Sequence, residues 1–120
     1  KVEDESRKLM IDRSQMEQVL INLLKNAGEA CMDQPNPEVI VQTDYQAENH
    51  IFRLSVTDNG CGILPEVVDR IFIPFFTTKP TGSGIGLSLC KQIMTLHGGS
   101  IRVKSELGKG SCFTLKLVVK

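Results

Sequence analysis

Apolar residues recur at helical spacing along the first third of the chain. Met16, Val19, Leu20, Leu23, Leu24, Ala27 and Cys31 form one stripe. The spacing predicts an amphipathic helix that begins near Ser14, a candidate N-cap with Glu17 three residues on as in a capping box. Gly28 weakens its last turns, and Pro35 and Pro37 end it. The period then drops to two. Val39, Val41, Thr43 and Tyr45 share one face of a strand, residues 46–50 make a polar turn, and residues 51–58 make a second strand with Phe52, Leu54 and Val56 inward. Residues 59–62 turn the chain, and residues 64–70 predict a short helix with Pro65 in its first turn. An apolar run, residues 71–76, is broken by Pro74. Helical spacing returns from about Gly84 to His97, with Ile85, Leu89, Ile93 and Leu96 inward and Gly98-Gly99 as the stop. Strands over 100–104 and 111–119 follow, joined by a glycine-rich turn, with Phe113, Leu115, Leu117 and Val119 on one face. Leu9-Met10-Ile11 is a further short-strand candidate. Helices before and after strand pairs imply an α+β fold, a two-layer α/β sandwich with helices on one face of one sheet.

Composition narrows the function classes. A chain of 120 residues supports one core. It is 41% hydrophobic and 23% charged with a formal net charge of zero, which argues against charge-driven binding to nucleic acid or a membrane surface. No run of 18 apolar residues and no signal peptide is present. The first residue is Lys1 rather than Met, so a fragment of a longer protein is expected. Cys31, Cys61, Cys90 and Cys112 have no metal-ligand spacing with each other or with His50 and His97, and buried free thiols in a reducing cytoplasm are the expectation.

Three features carry chemistry. Asp58 is next in the inward period of the second strand, and an ionised carboxylate facing a core is costly unless hydrogen-bonded or paired. The glycines after it leave room in front, which suits a ligand bearing N–H donors; a carboxylate capping its own turn is the local alternative. Asn22 and Asn26, poor helix formers, lie one above the other beside the apolar stripe, with Gln15, Gln18 and Glu29 on the same edge. Gly82, Gly84 and Gly86 alternate in a loop that becomes a helix, an arrangement that suits phosphate, although the same spacing fits an ordinary mobile loop. The apolar run before that loop reads as a lid bearing one cation, Lys79, with Phe72 equally suited to plug the core.

Together these residues resemble the ATP-binding domain of two-component sensor histidine kinases, in the superfamily shared with gyrase, heat-shock chaperone and mismatch-repair ATPases. Residues 18–30 resemble its N box, 58–63 its G1 box, 71–79 its F box and 82–87 its G2 box. The N and F boxes are most similar to the nitrogen-regulation type of sensor kinase. The resemblance covers residues 8–119 and implies a Bergerat-type mixed sheet backed by three helices, with ATP and Mg²⁺ as ligands. It implies that Asp58 accepts from the adenine amino group while Gly60, Gly62 and Ile63 wall the base. Asn26 would give its amide oxygen to Mg²⁺ and Asn22 would hydrogen-bond the phosphates. Thr78, Lys79, Gly82, Ser83, Gly84, Ile85, Gly86, Leu87 and Ser111 would complete the nucleotide site.

The resemblance also implies partners: a helical phosphoacceptor and dimerisation domain of the same kinase and a downstream response regulator, with the domain itself cytoplasmic and not in contact with membrane or nucleic acid. In the superfamily's hydrolases a glutamate four residues before the metal-binding asparagine activates water. Here that position is Asn22, which cannot act as a general base at neutral pH, so transfer rather than hydrolysis is expected. Neither His50 nor His97 lies in a phosphoacceptor motif. Glu29 stands where some relatives place a cation, and the last strand lacks the family's usual terminal proline. A serine/threonine kinase of the same superfamily and a non-catalytic nucleotide-binding module are the competing readings.

Overall fold

A computed structural model describes residues 12–74 and 86–118. The elements are α1 (Arg13–Ala30), β1 (Val39–Gln46), β2 (Ile51–Asp58), α2 (Pro65–Val68), α3 (Gly86–Leu96), β3 (Ser100–Glu106) and β4 (Gly110–Val118). The strands form one sheet in the order β1-β2-β4-β3, and the three pairings among the described residues are antiparallel. Register sets Asp58 opposite Val39 on one side and Ser111 on the other, and Ser111 opposite Ser105. Helices α1 and α3 cover one face. Their buried Val19, Leu23, Ala27, Cys90, Ile93 and Met94 meet Leu54, Val56, Ile101, Phe113, Leu115 and Leu117 from the strands. This is the expected two-layer sandwich.

Helix α1 starts slightly earlier than the expected cap. Asp12 is the N-cap, and its side chain accepts from the Gln15 N–H at 3.0 Å. Ser14 is a helical residue, and Glu17 faces Arg13 at 3.8 Å instead of closing a capping box. The helix ends at Ala30, well before the prolines, where the Cys31 N–H bonds back to Ala27. His97 ties the start of α1 to the end of α3. Its Nε2 accepts from the Asp12 N–H at 2.9 Å, which makes the Nδ1 contact to the Ile93 carbonyl, at 2.8 Å, a donated bond.

Four expectations about packing are corrected. Leu24 is 43% exposed, because the buried stripe of α1 runs Met16, Val19, Leu23, Ala27. Leu96 is 71% exposed, because α3 turns Cys90, Ile93 and Met94 inward. Cys61 is exposed and Cys112 half-buried, so only Cys31 and Cys90 are buried thiols. Ile71 belongs to the core rather than to a lid, being buried, while Phe72 takes the core-plug alternative and stands edge-on to Phe113 with ring centroids 6.5 Å apart. The predicted strand at 9–11, Ile85 and Val119 lie outside the described residues.

Gly28 sits exposed inside α1, and a Cβ there would meet nothing within 4 Å. Gly28→Ala therefore removes backbone freedom from the unfolded chain without a clash and should raise unfolding stability by about 0.5–1 kcal/mol. Urea unfolding followed by circular dichroism measures this. An unchanged or lowered midpoint would contradict the packing described for that face.

Candidate functional site

Asp58 ends the inner face of β2 and is only 4% exposed. The alternation that buries Leu54 and Val56 aims its carboxylate to the helix side of the sheet. Oδ1 accepts the Gly60 N–H at 2.9 Å, a bond to a charged group worth roughly 1.5–3 kcal/mol. That bond requires a tight turn immediately after Asp58. The turn presses Gly60 onto the last turn of α1, where any Cβ would overlap the Ala30 carbonyl oxygen. Asn59 fixes the strand's exit: its side chain accepts from the Glu38 N–H at 2.9 Å and donates to the Asn36 carbonyl at 2.7 Å.

The opposite wall comes from α1. Asn22, Asn26 and Ala30 are spaced by four, about 6 Å apart along the axis, and so share one edge of the helix. Gly60, whose N–H is bonded to Asp58, meets that edge at Ala30. Gly86, at the start of α3, meets it at Asn22, whose amide group would lie 3.9 Å from an added Cβ. Asn26 stands between these two contacts. The edge thus runs from the buried acid, past Asn26, to the α3 start.

Beneath Asn22 lies Cys90, fully buried, with its thiol directed at the Val19 carbonyl. Burial pushes this thiol up to about 11 from an ordinary 9.0, opposed by a hydrogen bond with Asn22. It therefore stays neutral at physiological pH. Asn22 is held between a neutral thiol and a glycine, with no charge supplied by either.

The third wall is the β3–β4 hairpin. Ser105 Oγ accepts from the Ile63 N–H at 2.7 Å and contacts the Gly110 carbonyl at 3.1 Å and Ser111 Oγ at 2.9 Å. The Gly108 N–H donates to the Cys61 carbonyl at 2.8 Å. Gly62 has φ +77° and packs on the Glu106 backbone, so neither its dihedral nor its space admits a side chain. Ser111, opposite Asp58, is 6% exposed.

Of the residues expected in the site, the structure brings together Asn22, Asn26, Asp58, Gly60, Gly62, Ile63, Gly86 and Ser111, with Leu87 packed against the core beside them. Thr78, Lys79, Gly82, Ser83, Gly84 and Ile85 lie outside the described residues. Ser105 was missed. Its signal was a polar residue in the inward period of β3 after Ile101 and Val103, the same anomaly that marked Asp58. A hollow of about 310 Å³ also touches this end of the sheet, lined by Thr57, Asp58, Lys104, Ser105, Glu106, Lys109, Gly110, Ser111 and Cys112. Thr57, Lys104 and Cys112 alternate to the face opposite the Asp58, Ser105 and Ser111 side chains, so the hollow reaches the strand ends from that face.

Residues 11–120 match the family model of histidine kinase-, DNA gyrase B-, and HSP90-like ATPases. The chain belongs to this ATPase family. It is 39% identical over 113 residues to the sensor histidine kinase ZraS of Salmonella typhi, covering 94% of this chain and 24% of that one. To the histidine-protein kinase AtoS of Escherichia coli it is 40% identical over 118 residues, covering 98% and 19%. The chain thus spans about a quarter or less of the length of the curated relatives it matches. Among solved structures, the catalytic domain of histidine kinase ThkA superposes with a TM-score of 0.79 at 34% identity, covering 97% of this chain and 74% of that one. Full-length ShkA in complex with AMPPNP superposes with a TM-score of 0.82 at 27% identity, covering 94% and 23%. The fold is therefore that of the ATPase domain of histidine kinases.

The Cys90 environment of this ATPase domain has a measurable consequence. Folding favours its neutral thiol, so the stability contributed is complete below pH 9 and is lost as pH rises through the interval from 9 to about 11. Unfolding midpoints at pH 8, 9, 10 and 11 should fall across that interval for the wild type and fall less for Cys90→Ala. At pH 8 a thiol reagent should label Cys61 promptly and Cys90 only on unfolding. Labelling of Cys90 as fast as Cys61 would refute its burial.

Proposed function

We propose that this chain binds Mg-ATP and donates the γ-phosphate to a histidine on a separate phosphoacceptor domain of a two-component sensor kinase. The observation that carries this reading is the buried Asp58 facing the edge of α1 that bears Asn22 and Asn26. Asp58 has one oxygen engaged by Gly60 and offers the other to the adenine amino group. A base with a carbonyl at that position would set an acceptor against a buried charge, which rejects guanine. Gly60, Gly62 and Ile63 wall the base, and Ser111 faces the same space.

The donor set fits Mg²⁺, which takes oxygen ligands and keeps phosphate and water in its shell. Asn26 would hold it through its amide oxygen, and the described residues hold no cluster of three His, Cys, Asp or Glu that would compete. Bound there, the ion neutralises phosphate charge. Asn22, on α1 where it meets the start of α3, hydrogen-bonds the phosphate region and, with neutral Cys90 below it, gives water no general base. By the same resemblance, Gly82, Gly84 and Gly86 would let backbone N–H groups reach the triphosphate, Lys79 would neutralise it, and Thr78, Ser83, Ile85 and Leu87 would complete the nucleotide site. The phosphoacceptor is a helical domain that also dimerises, the receiver is a response regulator, and the setting is the cytoplasm. Among the described residues no helix is long and apolar enough to cross a membrane. Similarity to ZraS and AtoS supports the histidine-kinase reading over a serine/threonine kinase.

Asp58→Ala should abolish ATP binding in titration calorimetry while circular dichroism stays native. Near-normal affinity would overturn the adenine assignment. Asn26→Asp should weaken Mg-dependent transfer to an added acceptor domain, and an unchanged rate would count against its metal role.

The chain alone, incubated with Mg-ATP, should acquire no acid-labile phosphate, because both ring nitrogens of His97 are engaged and His50 lies in the β1–β2 turn. Stoichiometric labelling of either histidine would contradict the division of labour between domains.

A further inference from the structure

Ser105 lies beside Ser111 in the β3–β4 hairpin, and its hydroxyl makes three contacts with two segments: the loop at Ile63 and the start of β4 at Gly110 and Ser111. A serine hydroxyl has one hydrogen and two acceptor sites. The Ile63 N–H can only donate, so it takes one acceptor site of Ser105. The Gly110 carbonyl can only accept, so it takes the single hydrogen. All three contacts are then satisfied in one way only: the Ser111 hydroxyl must donate to Ser105 across the 2.9 Å contact. Ser111 has spent its hydrogen and can only accept.

We infer that Ser105 is a positioning and selectivity residue: it pins the base-walling loop at Ile63 and locks Ser111 as a hydrogen-bond acceptor beside Asp58. The inference rests on the adenine reading of the pocket. Register sets Ser111 directly opposite Asp58 on the same buried face. An amino group entering between them meets two acceptors, the carboxylate and the Ser111 oxygen, directly or through a water. A carbonyl oxygen in the same place meets no donor. Without the Ser105 hydroxyl, Ser111 is free to rotate and offer its hydrogen, and the pocket loses part of its preference for an amino group. The loop loses its only side-chain tether among the described residues at Ile63, although the Gly108 N–H bond to Cys61 keeps the hairpin in place.

The test compares ATP with inosine triphosphate, which carries a carbonyl where adenine carries the amino group. Calorimetry on wild type, Ser105→Ala, Ser105→Thr and Asp58→Ala is scored together with melting temperature. Ser105→Ala should lower ATP affinity about fivefold, the equivalent of one average hydrogen bond. It should also lower the ATP-to-inosine-triphosphate affinity ratio, and Ser105→Thr should restore both. A Ser105→Ala protein that melts earlier yet keeps wild-type affinity and ratio would reduce Ser105 to a structural residue and overturn the inference. Should Ser105→Ala not fold, Ser111→Ala leaves Ser105 bonded to Ile63 and Gly110, and its ratio must fall in the same direction; an unchanged ratio overturns the inference. If Asp58→Ala binds ATP normally, the pocket reading itself has failed. If Asp58→Ala loses ATP while the Ser105 variants behave as wild type, only the role of Ser105 has failed.

Discussion

Asp58 is a carboxylate where the strand pattern calls for a core side chain, and most of the local architecture follows from making that tolerable. Desolvating a charge without partners is prohibitive, so the chain supplies an N–H at the shortest possible reach, from Gly60 two residues on. That bond bends the backbone hard against the end of α1, where the Ala30 carbonyl leaves no room for a side chain. The glycine is therefore fixed twice, by the turn and by the helix. In turn, the helix edge carrying Asn22 and Asn26 is fixed relative to the acid, because Ala30 lies on the same edge one turn beyond Asn26. One buried charge thus sets the spacing between two walls of a pocket.

The third wall, further along the same face of the sheet, obeys the same logic. Gly110 adopts φ +127° against the Asp58 backbone, and Gly62 adopts φ +77° against Glu106, so two chain reversals nest into each other where a Cβ at either point would collide. Close approach of backbones leaves polar groups that need partners. Ser105 and the Gly108 N–H provide them for Ile63, Gly110 and Cys61. The loop that would contact a base is braced by a hairpin rather than by its own sequence, which is why a four-residue turn rich in glycine can hold one geometry.

Much of this was legible in the residues. The inward period of β2 located Asp58 before any coordinates, and the paired asparagines beside an apolar stripe located the facing helix edge. What failed, failed for identifiable reasons. A capping serine two residues inside the helix was outcompeted by Asp12, whose carboxylate caps as well and whose backbone N–H is held by His97. Leu24 and Leu96 sit close enough to the buried stripes that periodicity alone cannot decide them; packing of α1 on α3 does. Ile71 looked like part of a lid because its neighbours are apolar and followed by glycines, but it is buried in the core, where Phe72 takes the plug role that suited it equally, edge-on to Phe113. Ser105 escaped because its partners are 5, 6 and 42 positions away, and hydrogen-bond accounting needs the register of three segments at once.

The same accounting bears on why such a pocket would hold a phosphoanhydride without breaking it. Water attack needs a base near the terminal phosphate with a proton affinity suited to neutral pH. Against the Asn22 amide the structure sets a glycine and a thiol that burial keeps protonated. None of the three can take a proton from water at pH 7. Asp58 is a base, yet it lies beyond Asn26 on the far side of the edge, where the purine would sit, with one oxygen bound to Gly60. On the proposed reading, the nucleophile and its base must arrive together on another domain, and the selectivity for transfer over hydrolysis comes from what the α1 edge lacks as much as from what it holds.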